Sequence, residues 1–223
     1  MTDMLFDEAF IDPGWAPVLL LAHGAGAGFD SPFMEQLARA LAVHGVSVAR
    51  FEFPYMHKRR DDGRKRPPDR QPALLEHFAI MARRCREDIG GDRTLVVAGK
   101  SMGGRMASLL AASPEVADIQ GVACFGYPFH PPGKPDRWRT GHFPDLPVPM
   151  AIYQGTRDPF GKPAELDGQP PLPSQVRVHW LEGGNHDLRP LKKQGLAPDA
   201  LIDRSARLAA NFVHSLSPES AFL

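Results

Sequence analysis

Short aliphatic runs alternate along the chain with longer stretches in which apolar positions recur every three or four residues, the pattern of βαβ units around a parallel sheet. Ala16–His23 (APVLLLAH) is continuously apolar and stops at glycines, and Pro32–His44 then repeats Phe33, Leu37 and Leu41 at helical spacing. Val46–Phe53 alternates like a strand, and Pro72–Ile89 places Leu75, Phe78, Ala82 and Cys85 along one helical stripe. Thr94–Ala98 predicts a short buried strand feeding a small-residue helix, Met102–Ala112, that Pro114 helps to end. Ile119–Phe125, Pro149–Gln154 and Gln175–Leu181 supply three further strands, and Pro198–Leu216 a last amphipathic helix through Leu201, Leu208, Phe212 and Val213. Six strands and at least four helices follow, in a chain whose 223 residues suit a single domain over 1–223.

Two connections are longer than such a fold needs. Pro54–Gln71 reads as a solvated basic loop, with seven lysines and arginines against three aspartates. Tyr127–Pro147 is rich in proline and carries Phe129, Trp138 and Phe143, which suits a pocket wall; Lys134, Arg137 and Arg139 in it could face an acidic substrate group. Lysine plus arginine (26) balances aspartate plus glutamate (26), so no global field gathers nucleic acid or anionic lipid, and no nucleic-acid partner is expected. Cys85 and Cys124 form neither a CxxC pair nor a Cys/His cluster, which predicts no metal and no disulfide framework. The N-terminus carries acids where a signal peptide needs a basic start, and no apolar stretch reaches membrane-spanning length; a cytoplasmic protein without a membrane partner is expected.

The chemistry concentrates where the third strand turns into its helix. Gly99-Lys100-Ser101-Met102-Gly103 matches G-x-S-x-G, the strand-to-helix elbow that exposes a nucleophilic serine. Because a serine hydroxyl is a weak nucleophile, it needs a base and an acid to orient that base, in the chain order Ser, Asp or Glu, His. Asp158 follows the strand ending at Gln154, and His186 follows the next one in a glycine-loosened loop, each at a strand's carboxyl end. Of the other histidines, His179 sits within a strand, His44, His77 and His214 on helices, His130 and His142 in the proline-rich loop, His57 in the basic loop and His23 beside the first glycines. Asp187 and Glu182 are the fallback acids. The N–H of Met102 and that of Ala25 or Gly26, in Leu21-Ala22-His23-Gly24-Ala25-Gly26-Ala27-Gly28, are the candidate oxyanion donors. His23, Phe129, Trp138 and Arg137 are the candidate pocket residues. Two phosphate-binding readings fail on spacing: a P-loop needs glycine where Thr94 stands, and G-x-G-x-x-G needs it at Phe29 or Ser31.

On these motifs the chain resembles the α/β-hydrolases from about Ala16 to Leu216, and is similar to the small, nearly lidless branch near the dienelactone hydrolases. The resemblance implies a three-layer α/β/α sandwich with a mostly parallel sheet of six or seven strands and a minimal cap. It also implies a serine hydrolase that uses Ser101, Asp158 and His186 on a small-molecule, ester-like substrate without a cofactor. Ser101 stands where dienelactone hydrolases proper have cysteine, there is little room before Ala16 for the usual N-terminal antiparallel hairpin, and no large cap fits between Phe125 and Met150. The branch also holds distant relatives that serve as chromatin-complex subunits, so a catalytically silent interaction module is the alternative function.

Overall fold

The chain was described from a computed structural model over residues 4–114 and 118–217; Met1–Asp3 of the acidic N-terminus lie outside the described residues. Strand β1 (Leu5–Asp7) and strand β2 (Val18–Ala22) are followed by helix α1 (Pro32–Val43), strand β3 (Ser47–Phe51), helix α2 (Pro54–Asp62) and helix α3 (Gln71–Ile89). Strand β4 (Leu95–Lys100) then turns into helix α4 (Met102–Ala111), and β5 (Gly121–Phe125), β6 (Met150–Gly155), helix α5 (Pro163–Asp167), β7 (Val176–Leu181) and helix α6 (Ala200–Ser215) complete the order. The seven strands form one sheet in the order β1-β3-β2-β4-β5-β6-β7, parallel throughout except for β1.

The three layers follow from the pleat. In β2, Leu19 and Leu21 point to one face and Val18 and Leu20 to the other, and both faces are covered. Leu37 and Leu41 of α1 with Ile202, Ala206 and Val213 of α6 close the first face, and Phe78 and Cys85 of α3 with Met106 and Leu110 of α4 close the second. Between β5 and β6 the chain makes a proline-rich excursion with one 3₁₀ turn, Phe143–Asp145, and no cap domain. No helix among the described residues is long and apolar enough to cross a membrane.

One strand is added to the six read from the sequence, and one expectation is corrected. The N-terminus does contribute a strand: β1 runs antiparallel to β3, with Leu5 opposite Arg50, and the Arg50 Nε donates to Asp7 Oδ2 at 2.8 Å. It takes three residues rather than a hairpin, because its partner is the edge left by β3 and not a neighbouring strand. Pro54–Gln71, predicted as a loop, is helical over its first half. Pro54 opens α2 with a pre-set φ, Gly63 closes it in the left-handed region (φ 69°), and only Tyr55 and Met56 are buried. So narrow an apolar stripe is masked by the charges around it.

In the excursion, His142 Nε2 lies 2.8 Å from Ser108 Oγ of α4, and burial holds the imidazole down to about 4, with Arg105 adding to the effect. An unfolded histidine titrates near 6.5. Between those values the unfolded chain takes up a proton that the folded chain refuses, so stability is full above about pH 6.5 and falls as pH drops toward 4. Solvent at its half-exposed edge holds the contribution to about 1 kcal/mol. The melting temperature of His142→Gln is expected to decline less between pH 6.5 and 4 than that of the wild type, as thermal scans across that window would show.

Candidate active site

Ser101 occupies a backbone conformation that side chains avoid, φ 51° and ψ −113°, at the junction of β4 and α4. Two glycines permit it. A Cβ on Gly99 would run into the backbone of Gly103 and Gly104, and one on Gly103 would meet the carbonyls of Ala22 and His23, so helix and strands close up only without side chains there. The Ser101 N–H donates to Phe125 O at 3.0 Å, which ties the elbow to the end of β5.

Ser101 Oγ lies 2.9 Å from His186 Nε2, and His186 Nδ1 lies 2.8 Å from Asp158 Oδ2. Three stretches separated by 57 and 28 residues thus meet in one hydrogen-bonded row. Asp158 is fully buried. Its Oδ2 also accepts the Gln154 side-chain N–H at 3.0 Å and its Oδ1 the Phe160 N–H at 2.9 Å, so donors on both oxygens hold the carboxylate in one orientation. The Phe160 ring lies against the His186 imidazole, 4.3 Å between centroids. Arg157 N donates to Gly184 O, its guanidinium to Gly183 O, and Thr156 Oγ1 accepts the Gly183 N–H, so the loop with the acid holds the loop with the histidine. A hydroxyl bonded to an imidazole whose far nitrogen is fixed by a buried carboxylate is the arrangement that makes serine a nucleophile. Neither fallback acid reaches the imidazole: Asp187 pairs with Lys100, and the exposed Glu182 offers its backbone carbonyl to Gln194.

Met102 is the first residue of α4, where backbone N–H groups have no partner inside the helix. The glycine-rich loop faces it: a Cβ placed on Gly24 would lie 3.8 Å from Ser101 Cβ, and Ala25 and Gly26 are exposed. Helix α2 holds this loop by its carbonyls. The Tyr55 hydroxyl donates to Ala25 O at 3.1 Å, and Arg59 Nη1 donates to Gly26 O at 3.1 Å. Arg60 forks onto Glu52, whose side chain is fully buried, and onto Asp30 at the end of the same loop. The Tyr55 and Arg59 bonds hold the main chain of Ala25 and Gly26 against α2. These clamp residues carry no sequence motif; the readable signal was Tyr55 and Met56 followed by Arg59 and Arg60 at helical spacing. Arg60→Ala takes the guanidinium from the buried Glu52 carboxylate and leaves it the Phe29 N–H at 3.4 Å and the His57 ring at 3.5 Å. It is expected to cost about 2 kcal/mol, moderated by the 41% exposure of the arginine, and to appear as a lower denaturant midpoint at unchanged m.

The candidate pocket residues do not gather as a group. His23 is fully buried, with Nε2 accepting the Phe53 N–H at 3.0 Å and Nδ1 2.6 Å from Gly24 O. That pattern fixes a neutral ring protonated on Nδ1, and burial pushes its pKa down. Phe129 is fully buried against Tyr127 and Trp138. Trp138 lines a cavity of about 460 Å³ with Phe143, Leu166, Val178 and Trp180, whose walls do not include Ser101, Asp158 or His186. Arg137 and Lys134 are exposed on a turn, and Arg139 is half-buried. Both cysteines are buried free thiols, Cys85 pushed up to about 12 by burial, so neither competes with Ser101 as a nucleophile. Among the described residues no group of three His, Cys, Asp or Glu side chains is placed to hold a metal ion.

Solved structures with this fold include a dienelactone hydrolase from Anabaena variabilis, 22% identical, with 94% of this chain and 89% of that one superposed at a TM-score of 0.68. An α/β serine hydrolase homologue from Coxiella burnetii is 17% identical over 93% of this chain and 90% of its own, with a TM-score of 0.67. A serine hydrolase without a lid from Xanthomonas campestris is 21% identical over 91% and 88%, with a TM-score of 0.64. At these identities the likeness is one of fold. Sequence membership is carried separately by the profile of the alpha/beta hydrolase domain, which matches residues 16–214. The chain belongs to the alpha/beta hydrolase domain family.

Proposed function

We propose that this protein is a single-domain serine hydrolase that cleaves an ester-like acyl bond in a small or exposed substrate. The observation that carries the reading is the unbroken row from Ser101 Oγ through His186 to the buried Asp158, at 2.9 and 2.8 Å. In the reaction, Ser101 Oγ attacks the acyl carbon while His186 Nε2 takes its proton, and the carbonyl oxygen becomes an oxyanion beside the N–H groups of Met102 and Ala25 or Gly26. The tetrahedral adduct collapses, the leaving alcohol departs with the proton from His186, and an acyl-serine remains. Water, deprotonated by His186, then attacks that ester, and Ser101 Oγ recovers the proton as the acid leaves. Asp158 keeps the Nδ1 proton in place and stabilises the imidazolium that forms twice per turnover. The absence of a cap domain favours substrates that need little enclosure.

The same geometry fits oxygen esters and thioesters, and a panel of p-nitrophenyl esters and thioesters of increasing acyl length separates them. Turnover that declines as His186 is protonated on the acid side supports the reading, since only the neutral imidazole accepts the serine proton. Folded protein that neither hydrolyses any member of the panel nor takes up a fluorophosphonate would leave the interaction-module reading standing instead.

A further inference from the structure

Lysine is poorly suited to the last position of a buried strand. Lys100 nevertheless ends β4, one residue before Ser101, with 9% of its side chain exposed. Its ammonium crosses to the loop after β7, where it donates to the carbonyl oxygen of His186 and lies 3.3 Å from Asp187 Oδ1. The Phe33 ring of α1 flanks it, 5.0 Å from nitrogen to ring centroid, and a Cβ placed on Gly126 would come within 3.1 Å of the nitrogen. Taking an ammonium out of water costs several kcal/mol unless partners replace the solvent. Both partners here come from the general base and its neighbour, so the interaction is aimed at the reacting histidine and not spread through the core.

We propose that Lys100 is a positioning residue for the general base: it pins the main chain of His186 to the strand that presents Ser101 and, with Asp187, forms a charge pair that sets the field at the imidazole. The proposal rests on the serine-hydrolase reading above. It assigns a task to the variable residue of the G-x-S-x-G elbow and to the acid next to the histidine, neither of which takes part in the proton transfers.

The charged groups around His186 come from several elements. Asp158 approaches Nδ1 from the loop after β6, Lys100 comes from β4, and Asp187 from its own loop. Arg157 is turned to the carbonyl of Gly183, and Arg189 to Gln36 of α1. Burial pushes the Lys100 ammonium down, and Asp187, then Asp158, hold it up. Catalysis creates an imidazolium a short distance from this ammonium, and the Asp187 carboxylate offsets the repulsion. Each half of the pair therefore acts on the imidazolium with opposite sign.

The test is the second-order rate of fluorophosphonate labelling of the full chain against pH, with p-nitrophenyl acetate kcat/KM as a parallel readout. Lys100→Met removes the cation and the tether. The plateau rate is expected to fall about tenfold or more, and the acid limb to move up by roughly half a pH unit or more. Asp187→Asn removes the anion and leaves the cation, so its limb is expected to move down. In Lys100→Met/Asp187→Asn the limb returns toward the wild-type position while the plateau stays low. A merely structural stitch lowers plateaus without separating the limbs. Limbs that stay at the wild-type position, or that move in the same direction in both single variants, overturn the proposal. If Lys100→Met does not fold, Asp187→Asn decides alone, because its side chain is 63% exposed and its loss spares the core. Wild-type protein that takes up no label refutes the serine-hydrolase reading itself, an outcome distinct from normal labelling with unmoved limbs.

Discussion

Ser101→Ala is expected to abolish fluorophosphonate labelling and to lower ester turnover on the order of 10⁶-fold, the scale found when the nucleophile is removed from another serine hydrolase. The change removes one oxygen and leaves the backbone problem as it was. Alanine pays the same cost as serine at φ 51°, and Gly99 and Gly103 still let α4 close against the strands. The Ser101 N–H to Phe125 O bond is a main-chain bond and survives. His186 loses its partner on Nε2, but the imidazole is half-buried and water can take the place of the hydroxyl. The melting temperature should therefore stay within about two degrees of the wild type while the covalent adduct vanishes from the intact mass. A variant that labels at the wild-type rate places the nucleophile elsewhere and removes the reading built on this elbow.

Much of the site was legible because its requirements are local. The elbow needs glycines at fixed offsets from the serine, and the strand ends predicted at Gln154 and Leu181, found at Gly155 and Leu181, put Asp158 and His186 on the same rim as Ser101. The strands were legible because a sheet covered on both faces leaves continuous apolar runs. What stayed hidden depended on distant partners. The three residues of β1 include exposed Leu5 and Phe6, and their meaning comes from β3, more than forty positions later. Helix α2 buries only Tyr55 and Met56, and its arginines look like solvated charge until Glu52 and the glycine-rich loop are brought beneath them. Position along the chain favoured Asp158 over the fallback Asp187, but the contacts that separate them are tertiary: Lys100 lies against Asp187, while the Asp158 carboxylate meets Nδ1.

That assignment leads to the second large effect, a loss in kcat of about 10⁴-fold in Asp158→Asn, the magnitude seen when the same position is amidated in an unrelated triad. The buried carboxylate accepts three hydrogen bonds, from His186 Nδ1 and Gln154 Nε2 on one oxygen and from the Phe160 N–H on the other. An asparagine has only one oxygen to offer. If that oxygen keeps the Phe160 N–H, the new amide NH₂ faces two donors, and the imidazole relieves the conflict by moving its proton to Nε2, where it can no longer accept from Ser101. If the amide flips, the orientation of the imidazole is kept but the Phe160 N–H faces a donor, and the imidazolium formed in the reaction is no longer balanced by a buried negative charge. Both routes lower kcat more than they raise KM, because they act on the proton transfers and not on the open substrate side. Asp187→Asn serves as the control: it leaves the row of hydrogen bonds intact and is expected to keep its plateau rate within about tenfold of the wild type. Steady-state kinetics of the two variants side by side decide the matter, and a mild Asp158→Asn beside a dead Asp187→Asn would assign the orienting carboxylate to the wrong loop.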